Sequence, residues 1–229
     1  MDYYKLVPSI DSNEIGVYPQ CPNMLKLGFL KDIMYGTELG ILNNIDSLPE
    51  PIIDEKAEPT TFLSVVAVSR AKFLVFHKAF ISFLKNYEVS NYQDWDIDVY
   101  HKKKLITDYK LFYAVEGLQS KLIDYKNSVF YVGKLADWTF RGKNLQINNY
   151  QEYLNIQEVL RPEKLIIKSD KLILDFSRNT YDLFRINHVP FMAGYFVSSK
   201  LKTAIEESEY TGFSFQQIEA SDDRITVKY

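Results

Sequence analysis

The chain has 229 residues, 46% of them apolar and 25% charged. That length suits one large domain or two small ones, and the mix excludes a disordered chain. The net charge of −3 argues against a general nucleic-acid binder, which carries a basic excess.

The N-terminus has no apolar core of a signal peptide. No stretch approaches the roughly 18 apolar residues of a membrane helix, so no membrane association is expected. Cys21 is the only cysteine, which excludes an internal disulfide. It fits a reducing compartment, and the expected location is cytoplasmic. It sits between Pro19 and Pro22 without a basic neighbour, as a packing residue rather than a nucleophile.

Tyr3 to Val7 reads as a short strand before Pro8. Residues 8–60 hold six of the eight prolines and read as irregular. Leu25 to Leu30 admits either a short helix or a short strand. Residues 70–87 carry the strongest helix signal. Phe73, Phe76, Phe80, Phe83, Leu84 and Tyr87 step by three and four, the spacing of one helix face. Leu74, Val75 and Ile81 widen that face. Ser69 is the expected N-cap, and His77 reads as a core or boundary residue rather than a ligand.

Trp95, Ile97 and Val99 alternate with Asp94, Asp96 and Asp98, the period of a strand. His101-Lys102-Lys103-Lys104 reads as a solvated turn. Further strands are expected at 109–115 and 128–133, and two or three more between 165 and 187. A helix fits 150–160. A last helix fits about 199–208, with Leu201, Ala204 and Ile205 inward. Strands follow at 212–218 and at the C-terminal RITVKY.

Strands mostly follow one another directly, without a repeating βαβ order. That predicts an α+β fold of mostly antiparallel sheet with few helices. The organisation expected is a loop-rich segment 1–60 and an α+β domain 61–229, or one domain containing both. Residues 66–99 and 194–218 run through a similar order of strand, helix and strand. Setting Val68-Ser69 against Val197-Ser198 suggests two similar units, by duplication or because any such unit needs a cap and an apolar stripe.

No nucleophile elbow, phosphate-binding loop, dinucleotide fingerprint or zinc motif is present. His77, His101 and His188 are scattered. Asp94, Asp96 and Asp98 resemble the start of a calcium loop, but its glycine and glutamate positions hold Val99 and Leu105. No catalytic residue, cofactor or metal is therefore expected. The acidic ending stands out. No Lys or Arg occurs from Thr203 to Asp223, while Glu206, Glu207, Glu209, Glu219, Asp222 and Asp223 do. Carboxylates at a helix C-terminus oppose its dipole, and a broken local rule can mark a functional surface. Tyrosines suit binding surfaces. The candidate partner-binding residues are Glu206, Glu207, Glu209, Tyr210, Asp222 and Asp223.

The stretch DYKLFYAVEGLQSKLIDYKNSVF, 108–130, and the ending DLFRI, 182–186, with GYFVSSKLKTAIEESEYTGFSFQQI, 194–218, carry a resemblance. They look like the middle and end of a bacterial family first described as a domain of unknown function. That family is now grouped as immunity proteins of polymorphic toxin systems. The resemblance covers roughly 60–229 and leaves 1–60 unexplained. It implies a non-enzymatic cytoplasmic protein that binds and neutralises one cognate toxin, and it supplies no catalytic residue. Two other readings stand beside it. One is an enzyme whose site is assembled from scattered residues such as Asp94, Asp96 and a histidine. The other is a scaffold or oligomeric accessory protein.

Overall fold

A computed structural model describes residues 1–32, 40–43, 45–70, 72–137, 139–187 and 193–229. The chain opens with β1 (Tyr3–Pro8), α1 (Ser12–Ile15), β2 (Asn23–Lys26) and a 3-10 turn at Gly28–Asp32. Next come β3 (Glu50–Ile53), β4 (Phe62–Leu63), α2 (Val66–Arg70), β5 (Leu74–His77) and α3 (Lys78–Leu84). The middle holds β6 (Tyr92–His101), β7 (Lys104–Ala114), α4 (Gln119–Leu122), β8 (Val129–Lys134), β9 (Asn144–Leu145) and α5 (Tyr150–Leu160). The chain ends with β10 (Leu165–Asp175), β11 (Leu183–Ile186), β12 (Gly194–Ser198), α6 (Ser199–Glu206), β13 (Phe213–Gln217), α7 (Ile218–Ser221) and β14 (Ile225–Lys228).

The strands form three mostly antiparallel sheets, ordered β11-β12-β1-β13, β14-β10-β8-β9 and β2-β3-β6-β7-β5-β4. The fold is α+β, with 22% helix and 40% strand.

Two sheets are built around the same device. β5 leads through α3 to β6, and β7 inserts antiparallel between those strands. β12 leads through α6 to β13, and β1 inserts antiparallel between those. β4 flanks β5 as β11 flanks β12. The order β4-β5-β7-β6 thus matches β11-β12-β1-β13 strand for strand. In one unit the inserted strand follows in the chain. In the other it comes from the N-terminus. Both crossing helices share one apolar core, Phe80, Ile81 and Leu84 of α3 meeting Leu201 and Ile205 of α6. Burying each such side chain contributes about 1.5–3 kcal/mol.

This arrangement corrects the expected helix over 70–87. Leu74 to His77 form a strand between β4 and β7, and the helix occupies only Lys78–Leu84. Leu74, Val75 and Phe76 are buried on both faces of the sheet. A strand buried on both sides reads as a continuous apolar run, which joined the helix stripe behind it. Ser69 lies inside α2 and does not cap this helix. The cap is His77, whose Nδ1 accepts the Ala79 N–H at 3.2 Å. Val197-Ser198 therefore corresponds to Phe76-His77, not to Val68-Ser69. Both His77 and Ser198 end a strand and cap the following helix.

The first 60 residues are irregular only in part. β1 is an inner strand of the sheet β11-β12-β1-β13, and β2 and β3 extend the six-stranded one. Leu25–Leu30 holds both the end of β2 and the 3-10 turn. The buried Gln20 amide pins this segment, donating to Glu58 O and Thr60 Oγ1 and accepting from the Ser64 N–H. Cys21 is buried, and burial pushes its thiol up to about 12. Between 165 and 187 there are two strands. LIIK and KLILD belong to β10, which bulges between Ser169 and Lys171. Ile218 starts α7 rather than ending the strand before it.

Candidate partner-binding surface

α6 is amphipathic because Leu201 and Ile205, four apart, face the core while Lys202 and Glu206 face out. Ser198 starts it. Its Oγ accepts the Leu201 N–H at 3.1 Å and donates to Asp182 at 2.6 Å. The helix stops at Glu206, and Ser208 Oγ donates to the Ile205 carbonyl at 2.6 Å. The same oxygen accepts the Tyr210 N–H at 3.1 Å.

The chain beyond α6 is clamped. Tyr210 sets its ring edge-on against Phe80 and Phe83, with centroids 5.3 and 5.1 Å away. Burial raises its pKa. Thr61 and Thr211 exchange backbone N–H bonds to each other's Oγ1, at 3.3 and 3.2 Å. Gly212 donates its N–H to Glu14 Oε1 at 2.8 Å. A Cβ on Gly212 would lie 2.3 Å from the Phe62 carbonyl oxygen, and its φ is +86°. Only glycine fits that approach without strain.

On this fixed shoulder Glu206, Glu207 and Glu209 are exposed. Lys202 Nζ pairs with Glu206 at 2.6 Å. Glu207 and Glu209 have no cationic partner within ion-pair distance among the described residues. Carboxylates near a helix C-terminus cost about 0.3–1 kcal/mol each at low salt. Lys202 offsets that cost for Glu206 alone.

Asp222 and Asp223 are not part of the shoulder. Phe213 pairs with Pro8 and Gln217 with Tyr4, so the shoulder lies at one end of β13 and the two aspartates beyond the other. Four residues of strand separate those ends, about 13 Å. Asp222 accepts from Arg224 Nε at 2.8 Å, and that guanidinium holds its carboxyl below the usual range. Asp223 is exposed. Glu219 Oε1 accepts the Val227 N–H, which ties α7 to β14.

Asp94 and Asp96 lie on one face of β6. Lys110 Nζ reaches them at 2.5 and 3.4 Å, and Lys78 reaches Asp96 at 3.1 Å. The Lys78 hydrogen bond is the main force lowering the Asp96 pKa. Asp98 falls at a bulge between Ile97 and Val99. Asp96 and Asp98 line a groove of about 340 Å³ with Asp46, Glu50 and Lys26. Sequence reading missed this grouping because Asp46 and Glu50 come from a distant stretch. Lys78 lines the groove, and the next residue, Ala79, accepts the Tyr210 hydroxyl at 3.4 Å. The groove and the acidic shoulder therefore meet at the first turn of α3. His77 caps α3, His101 ends β6, and His188 lies outside the described residues.

Among the described residues no three His, Cys, Asp or Glu side chains gather as a metal site. No described helix is long and apolar enough to cross a membrane. No protein-family model matches the chain, and no curated protein matches it.

Proposed function

We propose that the protein is a non-enzymatic binding protein of the immunity type. In this reading it neutralises a cognate toxin in the cytoplasm by direct contact, with the shoulder Glu206–Tyr210 as the centre of the interface. The observation that carries it is the pairing of unanswered charge with rigidity. Glu207 and Glu209 face outward without cationic partners among the described residues, on a turn fixed by Tyr210, Thr211 and Gly212. A preorganised surface loses little entropy when it binds. Tyr210 sets a large ring beside the charges, the residue type enriched where binding energy concentrates.

The acidic groove extends the same sign of charge, four carboxylates against Lys26 and Lys78. A field of one sign attracts a basic partner and speeds encounter. A toxin domain with a cationic cleft is the partner that this surface suits. The resemblance of 108–130 and 182–218 to the immunity family points the same way.

The test is capture of the tagged protein from its own bacterium, followed by reconstitution with the recovered toxin domain. Neutralisation of that toxin by the purified protein, lost on charge reversal at Glu206, Glu207 and Glu209, would support the reading. Full neutralisation by the charge-reversed protein would remove the shoulder from the interface.

A further inference from the structure

The seam between the sheet β11-β12-β1-β13 and the six-stranded sheet holds a buried charge without a carboxylate partner among the described residues. Arg185 sits in β11 between Phe184 and Ile186 and is 1% exposed. Its guanidinium lies over the Tyr113 ring, 4.6 Å from the centroid. Nη2 reaches the Tyr113 hydroxyl at 3.4 Å, a long contact. Among the described residues Nε and Nη1 have no hydrogen-bond acceptor. No carboxylate pairs with Arg185 among the described residues. Asp182, three residues earlier, is engaged by Ser198, Lys200 and the Glu88 N–H.

Asn187 stands two residues on, at the same facing of an extended chain. It is also 1% exposed, and its Nδ2 has no partner among the described residues. Its backbone N–H is used, donating to Gln119 Oε1 at 3.0 Å. Gly117 bridges to Arg185 and approaches so closely that a Cβ there would meet Asn187 Nδ2 at 2.8 Å. Tyr195, opposite Arg185 in the register, is committed. Its hydroxyl accepts from Ala114 N–H at 3.0 Å and donates to Lys72 O at 2.9 Å.

The orphaned atoms of Arg185 and Asn187 are all donors, and one side chain carries a full positive charge. Native interiors satisfy buried donors almost without exception. A buried guanidinium without a counter-charge is costly enough to demand a partner. Water supplies acceptors but no charge, whereas an oxyanion supplies both. We propose that Arg185 and Asn187 form a buried site for a small oxyanion, a carboxylate or a phosphate-type ion. The ion sits where β11 meets the chain after β7, and so ties the two similar units together.

Thermal unfolding of the full chain tests this at fixed pH and ionic strength, with formate or phosphate titrated against chloride. The wild type is expected to gain stability with the logarithm of oxyanion concentration. At a hundredfold excess over Kd the rise is about 5–10 °C. Arg185→Met is expected to lose that dependence. A rise with formate alone assigns a planar carboxylate, and a rise with phosphate alone assigns a tetrahedral ion. An equal rise in the variant, or none in the wild type, would overturn the proposal. Should Arg185→Met fail to fold, wild-type crystals grown in selenate, and others grown in bromoacetate, decide. An anomalous peak beside Arg185 supports the site. A water there and no peak in either crystal overturns it.

Discussion

Gly212 sets the direction of the chain as it leaves α6. Its φ of +86° and its approach to the Phe62 carbonyl leave no room for a Cβ. Gly212→Ala is expected to lower stability by about 1–3 kcal/mol, read from urea midpoints. Asp124 offers a second test at this scale. The Lys228 ammonium at 2.7 Å, and then the Asn127 amide, hold its carboxyl below the usual range. Its contribution is therefore present above about pH 4 and is lost as pH falls through the folded value. Asp124→Asn should be less stable than wild type at pH 7, and the gap should close as acid is added. Single residues were unevenly legible in the sequence. Ser198 was readable as a cap because it directly precedes the amphipathic run of α6, whereas Ser69, read the same way, lies inside α2. Arg185 was passed over within DLFRI, although a lone charge in an apolar strand is itself a signal.

The two split strand–helix–strand units carry the fold at the scale of elements. Their helices are capped by different chemistry. Ser198 is fully buried and serves both Leu201 and Asp182. His77 is only partly buried and serves Ala79 alone. Ser198→Ala should cost about 2–3 kcal/mol, because a buried carboxylate also loses a donor. His77→Ala should cost about 1 kcal/mol. Equal losses in chemical denaturation would contradict the assigned roles. The internal similarity was legible, but its register was not. Phe76, Phe80 and Phe83 share one spacing across a strand and a helix that pack into the same core, and Phe73, at the same spacing just before the strand, buries in a different one. Periodicity cannot separate those two cases, and only the β5–β7 pairing does. α5, by contrast, occupies the residues its pattern predicts, from Tyr150 to Leu160.

The N-terminus completes the C-terminal unit in the whole molecule. β1 lies between β12 and β13, and its Tyr3 and Leu6 enter two different cores. Removing residues 1–8 takes out an inner strand and exposes two edges. The truncated chain is expected to lose its near-ultraviolet circular dichroism, whereas a retained native spectrum would contradict the role given to β1. The pairing was invisible in the sequence because Tyr3 and Ser198 meet across nearly the full length of the chain. The acidic ending was legible as charge but not as geometry. Glu206, Glu207 and Glu209 share a rigid shoulder, while Asp222 and Asp223 lie beyond the far end of β13.

In the proposed function, the acidic shoulder receives a basic toxin domain. Binding kinetics of the recovered toxin domain, with wild type and a Glu207→Lys/Glu209→Lys variant, test it most directly at low and high salt. The variant is expected to associate about tenfold more slowly, or slower still, at low salt. The wild-type rate is expected to fall as salt rises. Equal association rates for both proteins at both salt concentrations would contradict it.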